Sequence, residues 1–127
     1  TVEYWDQLQR DRLEKSKQFV FHDIFKQPQP PAFLERLLEV ALRTPTNTVM
    51  TLMNNYILQD FRPLLSLVKV PTLWFTVEGP RLEYMKKTHH LLPQCHLEVL
   101  QNAGHTLFVD QPKQFNNCLE TFIKACP

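Results

Sequence analysis

The stretch TLWFTV, residues 72–77, constrains the fold more than any other part of the chain. It is a continuous run of strand length, and a run of this kind reads as a strand covered on both faces, the situation of a parallel sheet lying between helices. The residues after it supply the remaining pattern. RLEYMKKTHHLL (81–92) has helical period, with Leu82, Met85, His89 and Leu92 aligned. HLEVLQN (96–102) reads as a second strand, and QPKQFNNCLETFIKA (111–125) as a closing helix. The buried stripe predicted for that helix is Phe115, Cys118, Leu119, Phe122 and Ile123, with Asp110 near its positive N-terminal end. From Asp60 onward the order is therefore strand, helix, strand, helix, which calls for a parallel sheet covered by helices. Two strands do not make such a sheet alone.

Before Asp60 no convincing strand is visible. Residues 1–25 read as helix, with Trp5, Leu8, Phe19, Val20 and Ile24 among charged positions and a surface or a break at the polar QRDRLEKSKQ. KQPQPP (26–31) ends that segment, because stacked prolines remove amide donors and bias the residues before them away from helix. Pro31 can open the next helix, PAFLERLLEVALRT, along a stripe of Leu34, Leu37, Leu38 and Ala41. TPTNTVMTLMNNYI follows, with Thr or Asn available as N-cap and Val49, Leu52, Met53 and Tyr56 on one side. Ten prolines against two glycines leave few places where the backbone can turn tightly, an unusual balance for an α/β protein and a sign that part of the fold is missing. The change of pattern divides the chain into a helical segment, residues 1–58, and a sheet segment, residues 59–127.

Composition excludes several functions. Fourteen basic against thirteen acidic side chains, a net charge of +1, give no electrostatic drive toward nucleic acid or an anionic membrane. No apolar run approaches the roughly 18 residues of a membrane span, and TVEYWDQLQRDR is not a signal peptide. Thr1 in place of an initiator Met reads as a processed or excerpted start. Cys95, Cys118 and Cys126 form no CxxC pair, which suits a reducing compartment and a cytoplasmic location. HHLLPQCH (89–96) gathers three histidines and a cysteine, but His89 and His90 are expected to diverge by about 100° on a helix, and no second ligand pair has zinc spacing. The cations of KKTHH read as complements to a helix C-terminus, and Cys118 as a core residue.

DFRPLLSLVKVPTLWF leading into a buried strand, a helix ending in LLP, the strand HLEVL, then NAGHTLFVDQPKQFN and a terminal helix with FI occur in one order and spacing. That order resembles the C-terminal half of an α/β-hydrolase. FVFHDIFKQPQPPAFLERLLEVALRTP resembles the lid of some bacterial members. The fold class implied is α/β: a helical lid over residues 1–58, then the strand–helix–strand–helix of a parallel sheet in the C-terminal part of the α/β-hydrolase core.

The resemblance makes His105 a general base, acting on a nucleophile and oriented by an acid. Imidazole titrates near neutrality, and Gly104 at a strand end lets the ring project over the carboxyl edge of the sheet. A histidine that caps or packs against the last helix is the other reading. In the loop VEGPRLE, Gly79 and Pro80 stand about where the family's acid falls. Glu78, 27 positions before His105, is one residue early. Glu83 is a weaker choice, expected on the following helix, and Asp110 is better explained as a helix N-terminal charge. Some family members supply the acid from an upstream strand, which this chain does not contain.

Neither Ser16 nor Ser66 has the G-x-S-x-G surroundings of a strained nucleophile. The resemblance therefore implies a missing N-terminal half as partner, carrying the nucleophile and oxyanion hole. Trp5, Phe19, Phe21 and Phe25 either line a substrate pocket under the lid or pack it. The implied reaction is hydrolysis of a small, largely apolar ester, amide or related substrate, with no metal or organic cofactor. The alternative is a non-catalytic hydrolase-fold protein, or a truncated remnant, that acts by binding alone. On its own the chain is expected to leave a sheet edge unpaired and an apolar face bare, and so to aggregate.

Overall fold

A computed structural model describes residues 2–126, the side chains at positions 2, 4, 5 and 8 lying outside the described residues. The chain forms two compact units, Thr1–Gln59 and Asp60–Pro127.

The first unit is helical. Helix α1 (Val2–Arg10) and helix α2 (Arg12–Gln18) are separated at Asp11, within the polar stretch. Asp11 Oδ1 accepts from the Glu14 amide at 3.3 Å, so the break is also the N-cap of α2. A π-helical turn, Phe19–Asp23, continues α2, closed by the Ile24 amide on the Phe19 carbonyl at 2.9 Å. It buries Val20 and leaves Phe19 and Phe21 outward.

Pro31 opens helix α3 (Pro31–Arg43), where a missing amide is harmless, and Leu34, Leu37, Leu38 and Ala41 form its half-buried stripe. Arg12 donates to the Ala41 carbonyl (2.8 Å) and to Thr46 Oγ1 (3.4 Å). A cation thus satisfies a last-turn carbonyl of α3 and ties it to the start of α4 (Thr46–Ile57). The expected Thr or Asn cap of α4 is absent. Pro45 occupies the cap position, and Asn47 Oδ1 instead accepts from its neighbour's amide, that of Thr48, at 2.9 Å. On α4 Val49 and Met53 are half-buried but Leu52 and Tyr56 are 59% and 72% exposed, so the covered face is narrower than the period predicts.

The second unit runs α5 (Arg62–Leu65), β1 (Thr72–Val77), α6 (Leu82–His89), β2 (Cys95–Leu100), α7 (Leu107–Asp110) and α8 (Pro112–Ala125). The strands pair in parallel, from Thr72 beside Cys95 to Val77 beside Leu100. Side chains alternate along each strand, so Leu73, Phe75 and Val77 share a face with His96, Glu98 and Leu100. Helix α8 packs there, with the Phe115 ring 4.5 Å from that of Phe75, centroid to centroid.

Leu100 is completely enclosed, and Leu92 and Ala103 are buried with it. The run TLWFTV does form a strand, but each of its residues is only half-buried rather than covered on both faces. Among the described residues the sheet has two strands, so the outer edge of β1 lacks the neighbour that would complete its cover. Ile123, expected on the buried stripe of α8, is 61% exposed, while Phe115, Cys118, Leu119 and Phe122 are half-buried.

Candidate functional site

The register ends both strands together, Val77 beside Leu100. The segments that follow them, residues 78–81 and 101–106, therefore leave from one carboxyl edge of the sheet, the place where parallel α/β sheets put their chemistry. His105 lies in the second segment and is exposed there. The turn that carries it begins at Asn102, whose φ of 53° is a left-handed conformation that Asn tolerates better than most residues. Ala103 is buried, and Gly104 donates its amide to Asp110 Oδ2 at 2.7 Å. Gln111 Nε2 donates to the Asn102 carbonyl at 3.2 Å.

These bonds add to the reading of Asp110. It does stand just before the N-cap of α8, at the end of the short turn α7, but it is buried at 7% exposure and its carboxylate faces the histidine loop. Sequence reasoning missed this role. The only signal was a carboxylate six residues beyond the glycine, a spacing that a helix-start charge explains equally well.

Glu78 directly follows β1 and is exposed. The structure brings Glu78 and His105 to the same carboxyl edge, on the two segments that follow the paired strands. Glu83 lies in the first turn of α6 and accepts from Lys86 at 2.9 Å; that bond and the lysine charge hold its carboxyl below the usual range. Ser16 is buried within α2, and Ser66 follows α5, its carbonyl accepting from Lys69 at 2.7 Å.

Phe25 packs its ring 5.8 Å from that of Phe33, and Phe21 lines an open cleft with Glu14, Lys17, His22, Glu35 and Leu38. The Trp5 side chain lies outside the described residues.

The HHLLPQCH segment departs from expectation in one respect. His90 sits just past the end of α6, and its ring lies 4.0 Å from that of His89 instead of diverging from it. His89 Nδ1 is 2.7 Å from the Lys86 carbonyl, and His96 Nε2 is 2.7 Å from Glu98 Oε1. Among the described residues no group of three or more His, Cys, Asp or Glu could hold a metal ion, and no helix is long and apolar enough to cross a membrane.

No protein-family model matches the chain, and no curated protein does. Solved structures do. An esterase from Exiguobacterium antarcticum superposes with a TM-score of 0.83 at 20% identity, over 97% of this chain and 47% of that one. A bromoperoxidase from Bacillus anthracis gives 0.85 at 20% identity, over 96% of this chain and 47% of its own. A membrane phospholipase A described as a bacterial virulence factor gives 0.70 at 22% identity, over 88% and 38%. The chain has the α/β-hydrolase fold. It represents the C-terminal part of that fold and spans about half the length of the esterase and bromoperoxidase structures it matches.

Proposed function

We propose that this chain is the lid and C-terminal sheet portion of a hydrolase acting on a small, largely apolar ester, amide or related substrate, with His105 as general base. The observation that carries the reading is the position of His105, exposed in the turn that leaves the carboxyl edge of a parallel sheet, within a fold shared with esterases. A base placed there can take the proton of a nucleophile held over the same edge. The nucleophile and oxyanion hole come from an N-terminal half, since buried Ser16 and linker Ser66 have no such surroundings.

The acid is Glu78, on the adjacent loop, or a residue of that other half. Residues 1–58 are the lid segment and residues 59–127 the core portion, with Trp5, Phe21 and Phe25 as the lid's candidate substrate-binding aromatics. The chemistry needs neither metal nor organic cofactor, and the compartment is the cytoplasm, in keeping with three free thiols. A serine-reactive phosphonate should label nothing stoichiometrically in this chain alone. Joined to a nucleophile-bearing half, the protein should hydrolyse short-chain esters, and His105→Gln should abolish turnover. Stoichiometric labelling at Ser16 or Ser66, or full activity in His105→Gln, would overturn the assignment.

One observation favours a second reading. The loop after β1 offers an exposed glutamate one residue early, with Gly79 and Pro80 standing where the resemblance puts the family's acid. A protein with the fold that acts by binding alone would look the same there. Binding of apolar esters without turnover in the assembled protein would select it.

A further inference from the structure

We propose that Asp110 and Gln111 are positioning residues that fix the backbone of residues 102–105, and with it the place of the His105 ring over the sheet edge; this rests on the reading of His105 as the base. A carboxylate at 7% exposure has lost most of its water and must be compensated by donors nearby. Asp110 directs Oδ2 at the Gly104 amide, and 2.7 Å is the short distance of a charge-assisted bond. The next residue acts with opposite polarity, Gln111 donating to the Asn102 carbonyl. The loop is thus gripped on both sides of buried Ala103, by an acceptor at one residue and a donor at the other.

Both grips are anchored. The Gln111 amide donates to the Leu107 carbonyl and its own carbonyl accepts from Phe115, at 2.9 Å each. Phe115 in turn packs on Phe75 of β1. On the other side the loop grows out of enclosed Leu100. The histidine is therefore suspended between the sheet and the last helix. For a general base this matters because a misplacement of about 1 Å in a reacting group costs on the order of 10²-fold in rate.

The test uses two readouts. The chain has two glycines, so a nitrogen–proton correlation spectrum of the labelled protein holds two glycine amide resonances, of which Gly79 serves as internal control. In Asp110→Asn the Gly104 resonance should move upfield as its bond weakens, the Gly79 resonance should stay, and Asp110→Glu should recover part of the shift. With the protein joined to its nucleophile-bearing half, Asp110→Asn should lower kcat roughly 10²-fold with KM unchanged, and the glutamate variant should recover most of that loss. If Asp110→Asn does not fold, Gln111→Ala removes the other grip and should lower kcat about tenfold at unchanged KM.

An unmoved Gly104 resonance, or equal kcat in the variants and the parent, overturns the proposal. Full activity in His105→Gln overturns the base assignment instead, and the Gly104 resonance still decides whether Asp110 holds the loop.

Discussion

Truncating Leu100 to alanine tests what holds the second unit together. Its side chain is 0% exposed, whereas every residue of β1 is half-buried, so the enclosed part of this core centres on one leucine. Leu→Ala in a close-packed interior costs about 2.7–5 kcal/mol, the higher values belonging to sites where the cavity stays open. Here Val77, beside Leu100 in the ladder, is half-exposed and free to move inward, so the lower end applies, about 3 kcal/mol.

A unit of this size holds roughly 3–10 kcal/mol in all, and the substitution removes a third or more of it. In amide hydrogen exchange read by mass spectrometry, peptides covering β1 and β2 should lose protection by on the order of 10²-fold, the equivalent of about 3 kcal/mol. Leu67→Ala is the control: Leu67 is 68% exposed, and the change should stay within about 0.5 kcal/mol, roughly twofold. Equal protection in Leu100→Ala and the parent, or equal losses in both variants, would refute the reasoning.

Three further outcomes are expected. The isolated chain, with Leu58 84%, Tyr56 72%, Leu67 68% and Val70 64% exposed, should bind a hydrophobic dye and self-associate with rising concentration; a sharp, reversible two-state melt of a monomer would contradict this. Hydrogen bonds from the Arg62 side chain and amide hold the Asp60 carboxyl down at about 2. Because this folded value lies below the unfolded one of about 3.9, the pair's contribution is full above that pH and is lost as pH falls through the folded value; Arg62→Ala removes the guanidinium but keeps the amide, so it should raise the NMR titration midpoint of Asp60 most of the way back toward the ordinary carboxylate value, and a midpoint still near 2 would show another cause. Burial, and then the charge of Glu98, push the Cys118 thiol up, so alkylation near neutral pH should be slower than for free cysteine and faster in Glu98→Gln; rates unchanged by the substitution would argue against the charge.

The strand–helix–strand–helix order was legible because its signals are local. TLWFTV has no helical period, the apolar positions of 81–92 and 111–125 do, and Pro31 marks a helix start through its fixed φ and missing amide. Periodicity shows which side chains line up, not how wide their partner is, and so Leu52, Tyr56 and Ile123 fall on the predicted stripes yet are largely exposed. Burial of β1 depends on a neighbouring strand, which no feature of the strand itself reports. At the candidate site His105 was legible as a histidine after a glycine at a strand end, but the Asp110 grip was not. It depends on α7, a four-residue turn too short to leave a periodic trace, which folds the carboxylate back toward Gly104.

The parallel pairing of β1 and β2 also sets an order of assembly. Each pair in the ladder joins residues 23 positions apart, from Thr72 with Cys95 to Val77 with Leu100, and the entropy of closing such a loop grows only logarithmically with its length. The ladder can therefore close once residue 100 has emerged during synthesis, before α8 exists. The carboxylate that grips Gly104 emerges later, and the helix that anchors Gln111 later still. Helix α8 thus has two tasks, covering the Phe75 face of the sheet and anchoring Gln111, so a chain cut within that helix should lose both the cover of its sheet and the set of its histidine.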